Sequence, residues 1–346
     1  MRVWINFGTA ALGIGLGLGV ASITQAAEDD ALLKDARGIF APLPRTMAAT
    51  GRPMTAALVE LGRALYFETR VSVDGTTSCA RCHQPAFYGT DALAKSHGNH
   101  DRLNGRNAPT VLNTALQVKQ HWSGNREDVE DQATKALTGA ASYGNPNFDA
   151  PMARLKAIAG YQPMFKAAFP GDANPVTPAN WGKAIGAYER TLVSRSRFDD
   201  FLDGNVEALS AAERAGLRTF IDTGCIACHN GVGVGGGDFR KFGVQEDYWK
   251  ATGSTEIDKG RAVDTKKAED EYLFKVPSLR NVAMTAPYFH DGSATSLDAA
   301  VRIMAKVQLG AAVNDKAVQD IVAFLGSLTG PLPANYATAP ALPAER

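Results

Sequence analysis

Net charge is the first thing this sequence lacks. Its 346 residues carry 36 Lys plus Arg and 36 Asp plus Glu, a formal balance of zero. A chain without an excess of basic residues has no compositional footprint for nucleic acid, and none is expected as a partner. Long apolar runs are missing as well. The one hydrophobic stretch near the start, from about Phe7 to Val20, is shorter than the roughly 20 residues that a membrane span needs. Strand-like alternation is sparse and short. Cysteine and histidine are scarce, at four and six residues.

The scarce residues are not scattered. All four cysteines fall in two units of identical form, "SCARCHQP" with Cys79, Cys82 and His83, and "GCIACHN" with Cys225, Cys228 and His229. With six histidines in 346 residues, chance would place one after both pairs roughly once in 3,000 sequences. A dithiol redox pair or a structural disulfide needs no trailing histidine. A zinc site built from two Cys-x-x-Cys halves has a gap of about 15–20 residues, far less than the distance from Cys82 to Cys225. Covalent c-type haem accounts for all six residues. Two thioethers fix the porphyrin edge, and the adjacent histidine reaches the iron. The expectation is two haem c groups, one in each half of the chain.

The N-terminus suits such a protein. "MRVWINFGTAALGIGLGLGVASITQAAEDD" reads as an export signal, with Arg2, the short apolar run and small residues before a cleavage point after Ala26 or Ala27. The alternative is an uncleaved anchor, which the shortness of the run disfavours. The predicted compartment is the periplasm.

The mature remainder exceeds one typical domain. The fold class expected is mainly α, as two cytochrome c-like domains. Residues 1–26 are the signal peptide, 27–200 the N-terminal haem domain, 201–330 the C-terminal haem domain and 331–346 an extended tail. A helix is predicted to lead into each haem motif. "TAALVELGRALYF" carries Leu58, Leu61 and Leu65 at helical spacing. "LSAAERAGLRTFIDTGCIACH" opens on Ser210 and Glu213 at capping-box spacing, continues with Leu217, Phe220 and Ile221, and stops at Gly224. Helices are also expected in "TSLDAAVRIMAKVQLG" and "DKAVQDIVAFLGSLTG", and a linker within 193–208. "GVGVGGGDF" contains G-x-G-x-x-G, but no βαβ unit surrounds it, so it reads as a tight loop beside the second haem motif.

Several further segments carry a resemblance. "GRNAPTVLN" (105–113), "HW" (121–122), "EDQA" (130–133), "FKVPSLRNVAMTAPYFHDG" (274–292) and "VRIMAKVQLG" (301–310) together resemble the bacterial di-haem cytochrome c peroxidases, over about residues 50–330. That family includes MauG-type enzymes, which oxidise tryptophan in a partner protein. The resemblance implies an electron-entry haem in the C-terminal half, ligated by His229 and Met304. A thioether ligand raises the haem potential, which suits an acceptor. Met304 also lies on an apolar helix face, where a methionine can simply fill the core. MauG-type enzymes carry a tyrosine at this position, so a methionine points to the peroxidase branch.

The haem on His83 would be the peroxidatic one. In the family a distal histidine often occupies its sixth position at rest. In "AKSHGNHDRLNGRNAP" that position falls on Asn99, with His97 and His100 beside it. His100 is the first choice of ligand, His97 the second, and an iron without a distal ligand the third. Trp122 matches a tryptophan between the two haems. Asn107, Thr285 and Pro287 match residues that give oxygen ligands to a Ca2+ ion between the domains. Gln132 matches a catalytic glutamine. The catalytic glutamate position is Ser142, and serine is no base at neutral pH without help. Glu130 or Asp131 could take over, water could carry the proton, or the haem pair could serve another end.

The function implied is reduction of hydrogen peroxide to water, with a small cytochrome c or a cupredoxin as electron donor. A homodimer is compatible with the resemblance. The rivals are a MauG-like oxidase of a protein or organic substrate, and an electron-transfer or peroxide-sensing protein without turnover.

Overall fold

The computed structural model describes residues 15–345, with side chains from residue 27. The first fourteen residues of the expected export signal lie outside the described residues. The rest of that segment continues into a helix, α1 (Gly15–Ile39). Among the described residues no helix is long and apolar enough to cross a membrane.

The chain is mainly helical. After α1 come α2 (Ala56–Tyr66), the single turn α3 (Cys79–Cys82), α4 (Val129–Ala136), α5 (Asp149–Ala157), α6 (Tyr161–Ala168) and α7 (Pro178–Glu189). The second half holds α8 (Arg197–Leu202), α9 (Ala211–Asp222), α10 (Tyr248–Thr252), α11 (Ala262–Thr265), α12 (Leu297–Met304), α13 (Asp315–Ser327) and α14 (Ala334–Ala337). One antiparallel pair, β1 (Phe239–Lys241) with β2 (Leu273–Lys275), is the only sheet among the described residues.

Two hydrophobic clusters form. One gathers Leu58, Leu61 and Leu65 of α2 with Ala133, Trp181, Ile185 and Tyr188 of α4 and α7, and Cys79 packs against it. The other gathers Leu217 and Phe220 of α9 with Ile321, Phe324 and Leu325 of α13, and Cys225 packs against it. Both lead-in helices form as their sequences predict. Thr55 caps α2 by accepting the Leu58 N–H. On α9, Ser210 Oγ accepts the Glu213 N–H, while Glu213 Oε2 accepts the Ser210 N–H at 2.8 Å. This reciprocal cap satisfies two orphan donors. Gly224, at φ 89°, turns the chain out of α9 into Cys225. Close packing at the centre of each bundle needs glycine: a Cβ on Gly62 would lie 1.9 Å from the Ala184 carbonyl oxygen.

Two segments differ from their sequence expectations. The stretch 193–208 contains a packed helix, α8, rather than an open linker. Phe198 and Phe201 are fully buried, and the buried Asp199 pairs with Arg280 at 2.8 Å. The apolar residues of "VSRSRFDDFLDGNVEA" are too few to signal a helix, but the folded chain brings Phe40 and Phe324 against Phe198. The tail, in turn, contains α14 and folds back on the first cluster. Tyr336 is fully buried there. At the other end, Leu32, Leu33, Ala36 and Phe40 join the second cluster. Each end of the chain therefore packs in the half that does not contain it.

Candidate functional site

The first cysteine pair sits on one helical turn. α3 places Cys79 and Cys82 together, and the His83 N–H closes the turn on the Cys79 carbonyl at 3.0 Å. His83 Nδ1 meets the Gly89 carbonyl at 3.0 Å. That bond puts the proton on Nδ1 and leaves the Nε2 lone pair free for a metal. Burial lowers the His83 pKa, so the ring is neutral. The His83 carbonyl accepts two phenols, Tyr66 at 3.1 Å and Tyr336 at 2.6 Å.

The second pair repeats the geometry. Cys225 opens a short turn, and the His229 N–H returns to the Cys225 carbonyl at 3.0 Å. Burial pushes the His229 imidazole down to about 4; the Val234 and Pro277 carbonyls oppose that shift without forming a well-aligned hydrogen bond to Nδ1. The glycine-rich loop packs on this ring. Gly235, at φ 115°, would place a Cβ 2.3 Å from the Pro277 carbonyl oxygen and 3.1 Å from His229 Nδ1.

All four cysteines are free of disulfides. Burial pushes the thiols up, Cys79 to about 12 and Cys82 and Cys225 to about 11. Such thiols are poor nucleophiles and poor redox centres. Beside His229 opens a largely apolar cavity of roughly 440 Å3. Its wall includes Cys225, Cys228, His229, Phe220 and, at the end of α12, Met304. The helix loosens there into a π turn (Ala305–Leu309), an irregularity frequent at functional sites. A flat apolar group bearing a metal fits this set: two neutral thiols, a neutral imidazole and a thioether around a dry space.

The same cavity is lined by Trp122, Asn107, Thr285 and Pro287. Trp122 Nε1 donates to the Asn107 carbonyl at 2.9 Å, and its ring lies edge-on to His290 with centroids 6.3 Å apart. The Asn107 amide nitrogen is taken by the Leu93 carbonyl at 2.8 Å. Among the described residues no cluster of three or more His, Cys, Asp and Glu side chains could hold a metal ion.

The remaining candidates are not gathered with these. His100 is exposed, and its N–H donates to Asp74 at 2.6 Å. His97 is half-exposed and pairs with Asp101 at 3.0 Å. Asn99, between them, is fully buried. Its amide donates to the carbonyls of Ala140 at 2.6 Å and Ser142 at 2.9 Å, and its N–H also reaches Ser142. Asn104 adds a bond to Ala141 at 2.8 Å. Loop 96–104 is thus fastened to the loop that carries Ser142. Gln132 lies half-buried on α4. Neither neighbouring carboxylate is free. Glu130 takes Nε and Nη2 of Arg190 at 3.0 Å and one nitrogen of Arg52 at 3.0 Å. Asp131 holds Lys135 at 2.8 Å and the Glu127 N–H at 3.0 Å.

Sequence reasoning missed Lys275, Arg126 and Glu189, which are polar groups in apolar surroundings, and Tyr336. His121 was noticed only as a neighbour of Trp122. Nothing in local periodicity marks a residue whose importance comes from a distant partner.

Comparison with known proteins agrees with the geometry. The family described as "Di-haem cytochrome c peroxidase" matches residues 56–207. A cytochrome c551 peroxidase of Pseudomonas aeruginosa is 39% identical over 313 residues, covering 90% of each chain. The methylamine utilization protein MauG of Methylorubrum extorquens is 34% identical over 71% of this chain and 68% of its own. Among solved structures, a MauG-like protein associated with microbial copper homeostasis superposes with a TM-score of 0.71 at 26% identity, covering 86% of this chain and 95% of its own. With identity at this level over nine-tenths of both chains, and two Cys-x-x-Cys-His turns, this chain belongs to the di-haem cytochrome c peroxidase family, whose members work with two haems.

Proposed function

We propose that the chain is a periplasmic peroxidase that reduces hydrogen peroxide to water, taking electrons from a small cytochrome c or a cupredoxin. In this reading Cys79 and Cys82 attach one haem c, with His83 as proximal ligand, in a domain of about 27–200. Cys225 and Cys228 attach the other, with His229 and Met304 as its ligands, in a domain of about 201–330. Ca2+ between them would take oxygen from Asn107, Thr285 and Pro287. The observation that carries the reading is the single cavity that Cys225, Cys228, His229, Met304 and Trp122 share.

When bound, haem supplies an iron that can take peroxide and exchange electrons with it. The protein's part is to hold and orient. Gly89 fixes the His83 tautomer, so that Nε2 points its lone pair outward from the hydrogen bond. The Met304 thioether favours the reduced form of the electron-entry centre. Trp122 is pinned at both ends, by Nε1 on Asn107 and by its own carbonyl on the Lys275 N–H at 2.7 Å. A rigid indole on that wall offers a path for electrons.

Proton transfer is the weak step. Cleaving the O–O bond needs a base that moves a proton from the near oxygen to the far one. Ser142 Oγ cannot serve, and Glu130 and Asp131 are tied to cations. Water positioned by Gln132 is then the carrier, at a cost of about 10²–10⁴-fold in rate. Asn99 ties loop 96–104 to the Ser142 loop while His100 is exposed and His97 half-exposed, which favours an iron on His83 without a histidine as distal ligand.

A second reading, electron transfer or peroxide sensing without turnover, is favoured by that same pairing of Asn99 with Ser142. A MauG-like oxidase is disfavoured by Met304. Peroxide consumption by the half-reduced, Ca2+-loaded holoprotein, with a reduced small cytochrome c as donor, separates the readings. Slow but real turnover, raised about 10²-fold or more in Ser142→Glu, is the expected result. No turnover in either protein would move the chain to the second reading.

A further inference from the structure

Lys275 ends β2 and is 5% exposed. Among the described residues it has no ion pair. Its Nζ donates to the amide oxygen of Gln117. Burial alone pushes the ammonium down, to about 7, and no carboxylate opposes the shift. Its neighbourhood is already cationic. Arg126 stands near, its Nε buried and without a partner, its Nη1 on the Asn125 carbonyl at 2.8 Å. Asp131, a carboxylate whose charged form Arg126 favours, is itself paired with Lys135. Both cations act on His121, pushed down to about 4 by burial, with Arg126 and Lys275 adding to the shift.

An ammonium removed from water without a counter-ion is strongly unfavourable, and folded proteins pair or neutralise such groups. Gln117, His121 and Lys275 line the same cavity as Cys225, Cys228 and His229; the other cations on its wall are Arg240, paired with Asp238, and Lys241. The rest of that wall is mostly apolar. A group filling the space must therefore be apolar over most of its area and anionic at one edge. Haem has that form, since its two propionates lie on one edge of an otherwise apolar macrocycle.

We propose that Lys275, with Gln117 beside it, is a carboxylate-binding site that receives a haem propionate. The proposal rests on the haem reading given above. The carboxylate can come from the haem on Cys225 and Cys228, whose cavity Lys275 lines, or from the haem on His83. The first is favoured by the shared cavity.

The test uses the full-length holoprotein and its Lys275→Met, Lys275→Gln and Lys275→Arg variants. Haem is counted by the pyridine haemochrome spectrum, and both midpoint potentials are measured by redox titration. Removing a cation beside a propionate leaves an unbalanced negative charge near the iron, which favours the oxidised state. One midpoint potential should fall in Lys275→Met and Lys275→Gln and stay near that of the parent in Lys275→Arg. The haem that moves identifies the source of the carboxylate. Two haems per chain with both potentials unchanged in Lys275→Met or Lys275→Gln would overturn the site. Should Lys275→Met fail to fold, Lys275→Gln, which keeps the polarity without the charge, decides the matter. A parent protein with fewer than two haems would defeat the haem reading itself, and the site with it.

Discussion

Glu189 ends α7, is 5% exposed and forms no ion pair among the described residues. The adjacent Arg190 is held by Glu130 through Nε and Nη2. Burial first, then the Glu130 charge, pushes the Glu189 carboxyl up to about 8, and Arg190 opposes them. In the unfolded chain the group titrates near 4.3. The folded state thus binds the proton more tightly. The stability this contributes is complete below about pH 4.3 and is lost as pH rises through about 8. Glu189→Gln should flatten that decline, so that the parent and variant melting temperatures diverge from pH 5 to pH 8. Parallel melting curves across that range would show that Glu189 does not titrate there. Individual residues of the haem motifs were fully legible in the sequence, because attachment chemistry is a matter of residue type and spacing. Lys275 and Glu189 were not, because a charge is unusual only once it is known to be buried.

Among elements, the two lead-in helices were predictable from periodicity and capping, and α9 forms with the Ser210–Glu213 cap in place. The loop after the second haem motif was readable only as a turn. Its packing on His229 explains the glycines. Gly235→Ala would strain a φ of 115° and drive a methyl group into the Pro277 carbonyl. The expected outcome is a protein that keeps the haem on Cys79 and Cys82 but loses normal ligation of the other, seen as a changed absorption spectrum of the Cys225–Cys228 site alone. The loops around Asn99 and Ser142 were legible as departures from the family pattern. That they fasten to each other was not, since backbone carbonyls accept hydrogen bonds from any residue that reaches them and leave no trace in sequence.

Over the whole molecule, the chain ends exchange places. Residues 32–40 of the N-terminal segment close the cluster at Cys225, and the tail closes the cluster at Cys79. The tail is fixed by Arg63 on the Asn335 carbonyl at 2.7 Å, by Tyr188 on the same carbonyl at 3.1 Å, and by Tyr336 on the His83 carbonyl. A chain truncated after Gly330 should lose roughly 3–5 kcal/mol, as for removal of a large buried aromatic. Its thermal transition should fall, and the His83 site should be perturbed before the His229 site. A truncated protein with an unchanged melting temperature would show that the tail carries no stability. The sequence alone determined what depends on residue type and local spacing: two Cys-x-x-Cys-His turns, their lead-in helices, the mainly α class and the family pattern, including its departures at Asn99 and Ser142. Tertiary structure decided which distant groups meet, that α8 is packed and not a linker, and that a lysine lies buried without a counter-ion. The reason is that burial and pairing are properties of the folded volume, and residues 253 apart, such as His83 and Tyr336, become neighbours only when that volume closes.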